Sequence, residues 1–189
     1  MSCLTAFLEP PRHHTTATQD IICFDDRRAS IECRILEIPS EDGESRGTST
    51  THSIQEPCRL AALIYINMAF RELPPRAAIH TSLTSRLRAA LRQTDLTSCW
   101  GTLSETLLWV LFMGGAVALQ EPIGPWFLSA LTMVCTRLKL QSWHSVREVL
   151  LKYLWSDRIW GERCETLWLR VENEQRNCSF YPSLESALF

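Results

Sequence analysis

The chain has 189 residues, a formal charge of -2, and a composition that is 46% hydrophobic and 21% charged. That is enough apolar material for one domain with its own core. A nearly neutral chain lacks the counterion-release term that drives binding to phosphate backbones, which excludes a general nucleic-acid binder.

The first fifty or so residues differ from the rest. The stretches EPPRHHTTATQD and PSEDGESRGTSTTHS are rich in Pro, Ser, Thr, Gly and charge and read as loops or disorder. Between them, Ile31, Ile35 and Ile38 fall at helical spacing, with Asp25 and Asp26 available as caps. A short helix is expected near 26–38, inside a flexible N-terminal arm spanning 1–53.

From Ile54 the pattern turns helical. PCRLAALIYINMAFREL is apolar over most of its surface, with Glu56, Arg59, Asn67 and Arg71 on a narrow polar stripe, so the helix should be buried on most sides. Pro57 suits a first-turn position, and Pro74-Pro75 should end the helix. Next, Ile79, Leu83, Leu87 and Leu91 recur every four residues, with Arg86, Arg88 and Arg92 between them, which describes an amphipathic surface helix. TLSETLLWVLFMGGAVAL opens on a Thr102-x-x-Glu105 capping box. Its uncharged run, Leu107 to Leu119, is short of the roughly 20 residues of a bilayer span, so it reads as a buried core helix. Gly114-Gly115 inside it costs about 1 kcal/mol per glycine, and close helix–helix contact is the expected compensation.

Pro122 and Pro125 mark the start of another helix, running Trp126 to Leu138. SWHSVREVLLKYLW carries a second capping box, Ser145-x-x-Glu148. Val146, Val149, Leu150, Tyr153 and Leu154 form one face of it, and Glu148 and Lys152 make an i,i+4 pair on the other. Trp160, Cys164, Leu167, Trp168 and Val171 share one face of a last helix, weakened by Gly161. No stretch alternates with period two. The expected fold is all-α: a multi-helix domain over 54–174, a largely unstructured N-terminal arm, and a loose tail over 175–189.

The eight cysteines, Cys3, Cys23, Cys33, Cys58, Cys99, Cys135, Cys164 and Cys178, include no close pair of the kind that aims two thiolates at one zinc ion. Met1 to Pro10 lacks the basic start and long apolar run of a secretory signal, so the thiols are expected to be reduced and several to be core residues. Among the histidines, His13-His14 lies in a polar opening and His52 in a polar linker. His80 and His144 lie near helix starts, where capping-region duty is the simplest role. A Ser-His nucleophile would need a third orienting group, and the sequence nominates none. There is no G-x-S-x-G, H-E-x-x-H, phosphate loop or dinucleotide fingerprint. Catalytic residues, cofactor-binding residues, metal ligands and cofactors are therefore all assigned as none, and the chain is expected not to be an enzyme. The seven tryptophans, Trp100, Trp109, Trp126, Trp143, Trp155, Trp160 and Trp168, are either packing anchors or the wall of a small-molecule pocket.

The phrases CRLAALIYINMAFREL, LLWVLFMGGAVA, PWFLSALTMVCTRLKL, SWHSVREVLLKYLW and LWLRVE, in this order over roughly 30–173, resemble the regulatory region of fungal zinc-cluster transcription factors, the fungal-specific transcription factor domain. The resemblance implies an all-α regulatory domain, nuclear location and a role in transcriptional control. It also implies protein partners in the transcription machinery or a homodimer partner, with room for a small-molecule effector and no membrane. In such factors a separate zinc cluster, opening on a C-x-x-C pair, holds the DNA. Neither that pair nor its repeat occurs here, so direct DNA binding by that mode is not expected of this chain. The alternative reading is a metabolite-binding helical domain with a Trp-lined pocket.

Overall fold

The structure, a computed structural model, describes residues 26, 29–38, 50–70 and 77–180, with side chains described at all of these except 50–53, 70 and 178–180. Helix α1 covers 29–36. The others are α2 (Thr50–Phe70), α3 (Ala78–Gln93), α4 (Ser104–Ala118), α5 (Gly124–Arg137), α6 (Trp143–Leu150), a π-helical turn (Asp157–Gly161), and α7 (Glu162–Phe180). No strand occurs among the described residues, so the fold is all-α as expected. The chain divides into two units, Met1–Pro39 and Ser40–Phe189. In the first, Ile31 is exposed, and it is Glu32 that is buried.

The second unit is organised around α4. From Leu107 to Ala118 every residue of this helix is buried, because its sequence is apolar on all sides and no face prefers water. It packs against α2, α3, α5, α6 and α7. Its 15 residues make a rod of about 22 Å, short of a bilayer core of about 30 Å. No helix among the described residues is long and apolar enough to cross a membrane.

The two glycines of α4 sit where helices cross. A Cβ built on Gly114 would lie 2.5 Å from Cε1 of Phe127 on α5 and 2.8 Å from Cδ2 of Leu87 on α3. One built on Gly115 would lie 2.9 Å from Cδ2 of Leu167 on α7. The missing side chains let α3, α5 and α7 close onto α4. Gly124 is fixed by its backbone surroundings: a Cβ there would lie 2.6 Å from the carbonyl oxygen of Ala118, so the turn from α4 to α5 folds back too tightly for a side chain.

Several local expectations are corrected. The Thr102–Glu105 capping box does not form. The cap position is Leu103, which offers no side-chain bond to the helix. The approach to α4 is a tight turn in which the Leu103 amide donates to the Trp100 carbonyl and the Ser104 hydroxyl donates to the Gly101 carbonyl. Glu105 is instead engaged by Lys152, whose Nζ donates to both carboxylate oxygens at 2.8 and 2.9 Å. This also removes the expected Glu148–Lys152 pair: α6 stops at Leu150, so Lys152 leaves the helix, and Glu148 faces His144 at 3.4 Å. Pro57 is not in a first turn. It lies inside α2, because the helix starts upstream at Thr50, and it is buried. Its ring removes one backbone hydrogen bond of the helix. Helix α7 continues through 175–180, where the sequence reads as a loose tail. An Arg176–Glu172 ion pair at 2.7 Å and a bond from Gln175 Nε2 to Thr136 Oγ1 support that extension. The end of α2 expected at Pro74-Pro75 lies outside the described residues.

Helix α6 is capped by Ser142 rather than by the Ser145–Glu148 box. The Ser145 amide donates to Ser142 Oγ at 3.2 Å, and the Ser145 hydroxyl donates back to the Ser142 carbonyl. Ser142→Ala is therefore expected to lower stability by about 1 kcal/mol, and Glu148→Ala to change it by only a few tenths, in chemical unfolding.

At the far end of α5, Lys139 adopts φ 56°, a left-handed conformation usually left to glycine. The Leu140 amide closes onto the Cys135 carbonyl at 2.9 Å, which completes a helix-ending motif around it. Lys139→Gly is expected to raise the unfolding free energy by about 0.5–1 kcal/mol, since the side chain's left-handed penalty disappears.

Candidate functional site

The thiols do not assemble. Cys58 lies on α2, Cys99 between α3 and α4, Cys135 on α5 and Cys164 on α7, while Cys33 belongs to the other unit, and all five are free. Burial pushes the Cys58 thiol up to about 11 and the Cys135 thiol up to about 12, and raises Cys164 as well. Thiols held in the neutral form are poor nucleophiles and poor metal ligands. Among the described residues no group of three His, Cys, Asp or Glu comes together in a way that could hold a metal ion.

The histidines are equally scattered. His80 lies in the first turn of α3, its amide donating to the Ala77 carbonyl at 2.9 Å. Helix α3 starts at Ala78 after Ala77, and the His80 ring is fully buried on the stripe shared with Leu83, Thr84, Leu87 and Leu91. His144 is exposed on α6 beside Glu148. The side chain of His52, on α2, and both of His13 and His14 lie outside the described residues.

The tryptophans are spent mainly on packing. Trp100 is fully buried, and its indole N–H donates to Thr94 Oγ1 at 3.0 Å. Trp109 donates to the Leu154 carbonyl at 3.0 Å and stacks on Tyr153, whose hydroxyl meets Thr106 Oγ1 at 3.1 Å. Trp160, carried by the π-helical turn, stacks on Tyr65 of α2, with centroids 5.8 Å apart. Trp143 lies between Phe112 and Trp155 at 6.3 and 6.4 Å, and Trp126 meets Phe127 edge-on at 5.1 Å. Trp168 is buried on α7. These rings tie helices together through apolar area and through the N–H groups that find acceptors.

The surface near α6 is more distinctive. Arg147 forms a bidentate pair with Asp157, with Nε 2.9 Å from Oδ1, and the Trp155 N–H donates to the same Oδ1 at 3.0 Å. Hydrogen bonds from Arg147 and Trp155 hold the Asp157 carboxyl down at about 2. A depressed carboxylate contributes stability above its unfolded value of about 3.9, and that contribution is lost as pH falls from about 4 toward 2. In Arg147→Met, a carboxyl NMR titration is expected to move the Asp157 midpoint up toward about 3.9. Beside this clamp, Leu151 and Leu154 are about half exposed at 49% and 53%.

One concave feature stands apart from the aromatic clusters. A cleft of about 180 Å³ opens where the α4–α5 turn meets α7, lined by Leu119, Gln120, Glu121, Gly124, Pro125, Leu128 and Arg170. Arg170 Nη1 donates to the Leu119 carbonyl at 3.4 Å, which sets its guanidinium over the end of α4. Sequence reading misses this cleft. Glu121 belongs to none of the sequence motifs, and Arg170 only to the phrase LWLRVE. Nothing local in the sequence signals that two residues so far apart line one depression.

The arrangement is a helical domain with a central helix buried and uncharged from Leu107 to Ala118 and aromatic ties to its neighbours. No curated protein and no solved structure matches the chain. A family model does match, the fungal specific transcription factor domain, over residues 3–181, which extends past the 30–173 stretch that carries the resembling phrases. That match takes in nearly the whole chain, and the chain belongs to the fungal specific transcription factor domain family.

Proposed function

We propose that this chain is the regulatory and interaction part of a fungal zinc-cluster-type transcription factor, acting without a zinc-cluster DNA-binding module of its own. The family match over residues 3–181 carries the reading. The separation of the described cysteines onto different elements agrees with it. On this reading the domain works in the nucleus, is not an enzyme, and contacts protein partners of the transcription machinery or a second copy of itself. The half-exposed Leu151 and Leu154 are the kind of surface such contacts use.

Two measurements test this. Fused to an unrelated DNA-binding module, the chain should raise or lower transcription from a reporter carrying that module's site. A fusion with no effect on the reporter under any growth condition counts against a regulatory role. Elemental analysis of the purified chain should find no stoichiometric zinc, and a tightly bound equivalent or more would sink the statement that it lacks a zinc cluster.

A second reading, that the domain also binds a small-molecule effector, is favoured by the cleft beside Arg170 rather than by the tryptophans.

A further inference from the structure

We propose that the cleft between the α4–α5 turn and α7 binds a free α-amino acid with a short aliphatic side chain. This rests on the effector reading above and names the chemistry of its site.

The cleft carries one charge of each sign. Glu121 on the turn supplies a carboxylate and Arg170 on α7 a guanidinium, and among the described residues no ion pair joins the two. Arg170 is committed through a single 3.4 Å bond from Nη1 to the Leu119 carbonyl. A guanidinium has five N–H donors, so a two-pronged face remains for a ligand carboxylate. That contact also places Arg170 at the C-terminal end of α4, where the helix carbonyls concentrate partial negative charge. A ligand ammonium is favoured there twice, by those carbonyls and by Glu121. Beside the charged groups the lining is the apolar Leu119, Pro125 and Leu128, together with Gly124 and the polar Gln120. A buried Gly124, with no room for a side chain, fixes the turn that presents them.

These groups select a small zwitterion with an aliphatic tail. A carboxylic acid without an amine sets its charge near Glu121 with nothing to offset it. An amine without a carboxylate leaves Arg170 unmatched. The cleft, at about 180 Å³, is also smaller than the roughly 300–1,000 Å³ of sites for drug-sized ligands, which suits a small ligand.

The test is an amide chemical-shift NMR titration of the full chain with L-leucine, 4-methylpentanoate and 3-methylbutylamine. Leucine should bind saturably, moving the amides around 119–128 and 170, while each truncated analogue binds about 10-fold more weakly or worse. Arg170→Met and Glu121→Gln should each weaken leucine by about 10-fold, with circular dichroism and melting temperature unchanged. No saturable shift up to about 10 mM overturns the proposal, as does equal affinity for 4-methylpentanoate, or leucine affinity unaltered in both variants. A thermal-shift panel of mixed metabolites separates the two levels. Stabilisation by other compounds that disappears in Arg170→Met removes the amino-acid assignment and keeps the effector reading. No stabilisation by any compound, leucine included, removes both.

Discussion

Gly114→Ala should destabilise the domain by about 1–2 kcal/mol, although alanine is the better helix former by about 1 kcal/mol. The added methyl would sit 2.5 Å from Cε1 and 2.8 Å from Cζ of Phe127, and 2.8 Å from Cδ2 of Leu87. Phe127 and Leu87 are both fully buried, and the aromatic ring cannot step aside without displacing α5. Overpacking of this kind costs about 1–3 kcal/mol and more than cancels the gain in propensity. Gly115→Ala is the control. Its one close contact is a methyl of Leu167 at 2.9 Å, and Leu131 and Phe127 stand back at 3.4 Å, so a rotamer change can absorb the new group. The net effect there should be within about 0.5 kcal/mol of zero. Urea unfolding of the two variants checks the ordering. Phe127→Leu should recover part of the Gly114→Ala loss, and purely additive effects in that double-mutant cycle would contradict the steric account.

A loss of about 3 kcal/mol is expected for Glu56→Ala. Arg59 on α2 is buried, and its Nε and Nη2 donate to the two carboxylate oxygens of Glu56 at 2.6 and 2.7 Å. The two side chains are only 5% and 13% exposed, so solvent screens the pair weakly. Truncating Glu56 removes two carboxylate acceptors from a buried guanidinium that cannot shed its proton, and breaking one side of a buried pair costs far more than exchanging both sides for apolar groups. The double variant Glu56→Leu/Arg59→Met should therefore be markedly more stable than Glu56→Ala alone. Arg86, 3.5 Å from Glu56 and half exposed, should matter by less than about 1 kcal/mol. Melting curves of the three variants at low and moderate salt distinguish these contributions.

How far the sequence reveals this molecule depends on the range of the interaction. Apolar periodicity locates α3, α4, α5 and the buried stripe Trp160, Cys164, Leu167, Trp168 and Val171, because burial acts on many residues at once and tolerates small errors of register. The glycine pair in α4 is read as a close contact for the same reason. Helix ends are decided by single hydrogen bonds. Thr102–Glu105 and Ser145–Glu148 both fit a capping pattern, yet Glu105 is drawn to Lys152, and the preceding Ser142 takes the cap of α6. Those competitions depend on which groups tertiary folding brings near, and a linear pattern does not contain that. The cleft is harder still. Its two charges lie on different elements, the α4–α5 turn and α7, and only the tertiary fold brings both to the lining of one depression.

The central place of α4 also bears on how the protein is made. Its neighbours lie on both sides of it in the chain: α2 and α3 are synthesised before it, α5, α6 and α7 after it. When Ala118 leaves the ribosome, only the surfaces meant for α2 and α3 can be covered. At about 5–20 residues per second, several seconds pass before Val171 emerges and α7 can close the remaining face. During that interval the chain presents a helix that, from Leu107 to Ala118, carries no charge to discourage association. Nascent chains stalled between α5 and α7 are therefore the species on which chaperones should act, and slow translation across that interval trades yield for aggregation.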